Sequence, residues 1–359
     1  MLKRFTSNHY ERLEQRLVDA LSRPTASALI PQVVIIPSTA IKRSVEIALA
    51  NRIGVCANLR FDFLGQWLWK TLSKVIHVAE QSPFSPTLLR WRIYALLTDT
   101  IWVSEHPKLL RYLAKADNLM RYELAHHCAT LFDQYLTYRS DWLENWLKPG
   151  QTIDEDEAWQ ASLWRRIAQD LGAQAQHPSV AFFKALEARG DEVFMENQMR
   201  VSVEVFCLPS IPGLYLQMLK RLAGWIDINL YSVNPCAEYW YEVINPKRLG
   251  RLKLASKSQY HEIGNRLLAS WGQQSKEHFS ALMDDDFESI ESSDFENEAP
   301  TTLLKKIQNA VLHLNDPDPG SWVLEHDDRS LEVHVCHSLV RELEVLLDQF
   351  WRCFRQPKR

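Results

Sequence analysis

The sequence predicts an α/β fold in which a parallel sheet is interrupted by a large all-helical insertion. Three observations carry that expectation. Short, continuous apolar runs stand at 32–38 (QVVIIPS), 201–210 (VSVEVFCLPS) and 226–233 (IDINLYSV), the pattern of strands buried on both faces. The segment between the last two, IPGLYLQMLKRLAGW, has helical periodicity, so 201–233 reads as a strand–helix–strand unit. Residues 62–200 instead read as a succession of amphipathic segments.

Taken in order, residues 7–22 predict a helix, with Ser7 or Asn8 as cap and Tyr10, Leu13, Leu17 and Leu21 on one face. The strand at 32–38 follows, then a helix over about 40–52 capped by Ser38 or Thr39. Within 62–200, Ser85–Pro86 marks a helix start, serine as cap and proline in the first turn. Residues 284–298 carry eight acidic residues and no basic one, which predicts a flexible, solvated linker. A last strand is predicted at 331–338 (LEVHVCHS), leading into the amphipathic segment RELEVLLDQFWRCF. The domain expectation is a sheet domain from 1–61 and 201–233, the helical insertion at 62–200, a second insertion at 234–330, and the start of a further domain at 331–359.

Composition excludes little. The 359 residues carry a net charge of −4, so global charge gives no evidence for nucleic acid, although a local basic channel fits within an acidic whole. Six cysteines include no CxxC pair, and their spacing fits neither a zinc site nor a disulfide scaffold. No run of about 18 apolar residues occurs and the start has no apolar signal core, which predicts a cytoplasmic protein without membrane contact.

Catalytic motifs are missing where they would be sought. The turn after the first apolar run is the natural seat of a phosphate-binding loop, G-x-x-x-x-G-K-[ST], whose glycines let backbone N–H groups wrap phosphates. Here it reads Ile36-Pro37-Ser38-Thr39-Ala40-Ile41-Lys42-Arg43-Ser44. It contains no glycine, and Pro37 has no N–H to offer. The expectation is therefore no ATP hydrolysis, no cofactor and no enzyme activity in this segment. The free N–H groups of a helix start at Ser38 and Thr39, with Lys42 and Arg43 close by, form either a phosphate-backbone site or an ordinary capped helix. His261-Glu262 lacks the second histidine of a zinc helix, and His126-His127 are adjacent rather than four apart. On a helix with Leu131, Tyr135 and Tyr138 facing inward, Asp133, Gln134 and Arg139 form either a base-contacting group or a plain solvated face.

Blocks along the whole chain resemble the RecC family, the gamma subunit of exodeoxyribonuclease V. They include VVIIPSTAIKRSVEIALANRIGVCANLRF, LFDQYLTYRSDWLENW, AWQASLWRRI, VFCLPSIPGLYLQML, NPCAEYW, LLASWG and HVCHSLVRELEVL. The resemblance implies a RecA-like, superfamily-1 helicase-like fold with degenerate ATP-binding residues. It implies assembly with a RecB-like beta subunit and a RecD-like alpha subunit in a complex that repairs double-strand breaks and serves recombination. It also implies a channel that carries the 3′-ending single strand of DNA and, in some members, recognises Chi. Family members are about three times longer, so the chain is expected to be an N-terminal piece. Carried over by position, the DNA-binding residues are Ser38, Thr39, Arg43, Trp69, Asp133, Gln134 and Arg139. Pro37, Arg43 and Thr130 depart from the family pattern, with glutamine familiar at the first two positions and aspartate at the third. Since glutamine suits an adenine edge and arginine suits guanine or phosphate, a channel that holds single strands but binds the familiar Chi sequence less tightly is expected. The alternative is a scaffold segment that holds the beta subunit without touching DNA.

Overall fold

A computed structural model describes residues 1–23, 30–76, 83–148, 157–172, 178–195, 202–243, 264–282, 289–323 and 325–355. The chain divides into two compact units, one of residues 1–234 and 274–294 and another of 235–273 and 295–359.

The first unit is built on six parallel strands, β1 (Leu2–Ser7), β2 (Gln32–Ile35), β3 (Leu59–Asp62), β4 (Ser202–Phe206), β5 (Asp227–Val233) and β6 (Ser289–Ser293), in the order β3-β2-β4-β5-β1-β6. Helices α1 (Tyr10–Leu21) and α2 (Thr39–Ile53) pack on one another over Val34, Ile36, Phe206 and Tyr231, giving one side of the sheet its core. Leu17 and Val45, which meet there, are wholly buried.

The predicted strands and helices at 32–38, 40–52, 201–210 and 226–233 are present, and the parallel sheet agrees with the predicted fold class. Three expectations need correction. The predicted helix from residue 7 starts only at Tyr10, because residues 2–7 form β1, an interior strand between β5 and the edge strand β6. β1 is too polar to read as an apolar run. Two of its polar side chains find distant partners: Arg4 donates to the Leu282 carbonyl at 2.9 Å, and the Thr6 and Ser293 hydroxyls lie 3.0 Å apart. The solvated linker expected at 284–298 contains β6 at 289–293, which pairs with β1 through the backbone; residues 283–288 lie outside the described residues. The strand expected at 331–338 is not formed. Among the described residues no strand pairs with that stretch, and Val333 and Val335 are 82% and 96% exposed.

Among the described residues, eight helices lie between β3 and β4: α3 (Leu64–Val75), α4 (Pro86–Thr98), α5 (Thr100–Ser104), α6 (Pro107–Leu113), α7 (Asn118–Tyr138), α8 (Ser140–Leu147), α9 (Ala158–Leu171) and α10 (Pro178–Met195). Asp99 and Asp117 cap α5 and α7 by accepting from backbone N–H groups. Helices α4 to α9 have their own core, in which Trp164 meets Phe84 and Phe132 at ring distances of 5.6 and 5.5 Å. After β4, α11 (Gly213–Leu222) leads back to β5.

The second unit contains α12 (Arg266–Trp271), α14 (Leu303–Leu312) and α15 (Leu339–Arg355). Asn265 caps α12 and donates to the Asn315 carbonyl at 2.6 Å, and Thr302 caps α14. The apolar face of α15 is exposed along its length, Leu343, Leu347, Phe350 and Phe354 included.

Helix α13 (Gln273–Leu282) precedes β6 and carries a buried histidine. His278 is 7% exposed, neither ring nitrogen has a hydrogen-bond partner among the described residues, and burial pushes its pKa down to about 4. The unfolded chain takes up this proton near pH 6.5, the folded chain only near 4. Stability is therefore expected to fall as pH drops through that window, by ~3 kcal/mol at most. Urea unfolding should show a smaller acid loss for His278→Phe than for the native chain; an identical loss in both would contradict the assignment.

Candidate functional site

In open parallel sheets, ligands bind at the carboxyl ends of the strands, where neighbouring connections diverge. Here that point lies between β2 and β4. The chain leaves β2 toward β3 and leaves β4 toward β5, in opposite directions across the sheet. Helices α2, α3 and α11 all begin at this edge, from three adjacent strands.

At the β2 end, Ser38 caps α2, its hydroxyl accepting from the Ile41 N–H at 3.4 Å, and Thr39 is exposed in the first turn. Arg43 is 75% exposed and lies 3.8 Å from Glu46, so its charge is only loosely engaged. Lys42 lies over the Phe61 ring at 5.5 Å. At the β3 end, Asp62 is buried between Lys70 at 2.6 Å and Arg60 at 2.9 Å, which ties the first turns of α3 to the sheet.

A carboxylate occupies the same edge on the α1–α2 side. Glu14 accepts from the Ser44 hydroxyl at 2.6 Å and from the Tyr10 hydroxyl at 3.2 Å. Burial, opposed by Ser44 and reinforced by Glu14, pushes Tyr10 up to about 12. The Cys207 thiol, directly after β4, is also pushed up to about 12, first by burial and then by Glu14. Fixed negative charge thus stands beside the β2–β4 crevice.

The helix that carries Trp69 and the end of α7 that carries Asp133 both meet a residue that sequence reasoning missed. Tyr215, in the first turn of α11, sits so close to α3 that a methyl group on Gly65 would stand 3.4 Å from its hydroxyl oxygen. Gly65 and Trp69 are four apart, hence on one face of α3. Burial raises the Tyr215 pKa, the Thr137 hydroxyl opposes the rise, and Asp133 and Tyr138 add to it. The Tyr215 hydroxyl is therefore the meeting point of α11, α3 and α7. Asp133 reaches solvent, yet the surrounding protein withdraws enough water to raise its carboxyl pKa. Trp69 is 36% exposed and Gln134 is exposed. Arg139, just past α7, lies over the Trp142 ring at 5.4 Å. The Ser38–Thr39–Arg43 group and the Asp133–Gln134–Arg139 group stand on different helices, at the start of α2 and at the end of α7.

Comparison with known proteins decides the family. Residues 2–314 match the model for the RecC N-terminal domain. The chain belongs to the RecC N-terminal domain family. Over 395 residues it is 27% identical to the RecBCD enzyme subunit RecC of Escherichia coli strain K12, covering 97% of this chain and 35% of that protein. The RecBCD enzyme subunit RecC of Haemophilus influenzae is 25% identical over 98% of this chain and 36% of its own length. That of Mycolicibacterium smegmatis is 23% identical over 93% and 30%. The chain thus spans about a third of the length of these relatives.

In this RecC N-terminal domain, no group of three or more His, Cys, Asp or Glu side chains among the described residues could hold a metal ion. No helix among them is long and apolar enough to cross a membrane. Only the helical spacing of Tyr215 in IPGLYLQML was visible beforehand; nothing in that spacing says what its hydroxyl meets.

The raised Asp133 carboxyl has a checkable sign. Folding favours its protonated form, so above the folded pKa the charge lowers stability, and below the unfolded pKa, about 4, the effect vanishes. Asp133→Asn should raise Tm at pH 7 and lose that gain as pH falls toward 4. A gain independent of pH would mean that desolvation of the charge is not its cause.

Proposed function

We propose that this chain is the DNA-handling, non-catalytic N-terminal part of a RecC-type subunit of the RecBCD helicase–nuclease, acting in double-strand break repair and recombination. Its carboxyl-edge surface guides the 3′-ending single strand, with Ser38, Thr39 and Arg43 toward phosphates, Trp69 toward a base face, and Asp133, Gln134 and Arg139 toward base edges or phosphates. RecB-like and RecD-like subunits are its partners. Altered or weakened Chi readout follows from Pro37, Arg43 and Thr130.

The observation that carries the reading is the crevice between β2 and β4. The fold offers a phosphate loop's position there, yet the turn has no glycine, Pro37 lacks an N–H, and the Glu14 carboxylate stands close by. Such a crevice is unsuited to the closely spaced charges of a nucleotide triphosphate. An exposed helix start with one loosely held arginine still suits the single charges of a DNA backbone. The second reading, a scaffold for the beta subunit alone, is favoured by no comparable observation.

Two measurements test this. Phosphate release from ATP with DNA present should not exceed the protein-free blank; turnover that Ser38→Ala or Lys42→Ala abolishes would overturn the non-catalytic reading. Single-strand affinity should fall steeply with salt, and the alanine variants at Arg43, Trp69, Gln134 and Arg139 should each weaken it. Loss of a base-stacking or bidentate contact corresponds to roughly 1–3 kcal/mol. Unchanged affinity in all four, alongside intact assembly with a beta subunit, would favour the scaffold.

A further inference from the structure

The helical region carries a second aromatic site that the carboxyl-edge surface does not use. Trp102, Trp146 and Trp164 are buried in its core, at 8%, 4% and 2% exposure. Trp91, on α4, is 56% exposed and lies outside that core. It is nevertheless held in place. The Tyr94 ring meets it edge-on at 6.2 Å, and the Tyr122 ring of α7 lies 5.5 Å away. The Arg90 guanidinium stands 5.8 Å from the Trp91 ring and 5.5 Å from that of Tyr122, and donates to the Tyr122 hydroxyl at 2.9 Å.

The charge in this cluster is not neutralised. Neither Arg90 nor the exposed Arg92 has a carboxylate partner among the described residues, and Arg90 Nε is buried without a hydrogen bond. A cation held by ring faces keeps its field, whereas a salt bridge would cancel it. A flat indole fixed in position beside unpaired guanidinium groups matches a nucleobase with its phosphate. Fixing the ring in advance also lowers the ordering cost of binding.

We propose that Trp91, positioned by Arg90, Tyr94 and Tyr122, is a stacking platform for one base of single-stranded DNA, separate from the Trp69–Asp133 surface. The platform rests on the reading that this chain handles single strands, and it adds a contact on the helical insertion itself. The exposed Leu88 and Leu119 nearby give a protein surface as the competing occupant. The unpaired guanidinium groups favour the polyanion.

The test uses the 359-residue chain and a twenty-nucleotide oligothymidylate, with binding read by fluorescence anisotropy. Trp91→Ala should weaken binding about fivefold or more, and Trp91→Phe, which keeps a stacking face, should retain most of it. A 5-iododeoxyuridine oligonucleotide should photo-cross-link to a peptide containing Trp91 or Tyr122. Since Trp91 is largely exposed, both variants should keep the native far-ultraviolet spectrum. If Trp69→Ala weakens binding and Trp91→Ala does not, the platform is overturned and the guiding surface stands. If Trp91→Ala loosens only assembly with the beta subunit, the cluster is a protein contact and the platform is again overturned. No binding by the native chain would overturn both.

Discussion

Much of the first unit follows from one constraint: β2 must pair on both sides, with β3 at one edge and β4 at the other. The chain leaves β3 at Asp62 and does not return to the sheet until Ser202. Whatever the intervening helices do, the carboxyl ends of β3 and β4, after which α3 and α11 begin, are fixed about two strand spacings apart, roughly 10 Å. That fixes α3 and α11 side by side at the carboxyl edge, and it explains why a tyrosine in the first turn of α11 reaches both Gly65 and the far end of α7. Long-range parallel pairing of this kind depends on burial of both sheet faces. Loss of a core side chain such as Leu17 or Val45 would therefore disturb the site as well as the sheet.

The same constraint separates architecture from chemistry. The strand order creates a divergent crevice of the kind in which nucleotides are held, but fold does not determine function. Here the local residues decide. Pro37 removes a donor, Ser38 uses its side chain to cap its own helix, and Glu14 brings a carboxylate to the edge. The retained features are exposed cations, an exposed aromatic ring and a helix start, which suit a passing strand better than a clamped cofactor.

The legible part of the sequence was the part that burial writes plainly. β2, β4 and β5 stood out as short runs rich in Val, Ile, Leu, Phe and Tyr, although Glu204, Asn229 and Ser232 interrupt the last two. β1 did not, because Lys3, Arg4 and Thr6 interrupt it, and the partners of Arg4 and Thr6, at Leu282 and Ser293, are far away in the chain. β6 was hidden by its acidic surroundings, since an edge strand held by backbone pairing leaves little trace in side-chain pattern. The stretch 331–338 erred in the other direction: its apolar alternation is real, but pattern becomes a strand only where a neighbour pairs with it. At the candidate site, the family resemblance pointed to Trp69, Asp133 and Arg139 one by one. Their relation through Tyr215 depends on how α11 docks, which no local window contains.

The central claim, that the carboxyl edge is a single-strand surface, is tested most directly by hydrogen–deuterium exchange of the whole chain with and without an oligothymidylate. Backbone N–H groups in the first turn of α2 are themselves the proposed phosphate donors, so their exchange reports the contact without any substitution. Slower exchange is expected at residues 38–43, at the start of α3 and around Asp133, with the strands unchanged. Unaltered exchange at all three places, under conditions in which the oligonucleotide is bound, would contradict it.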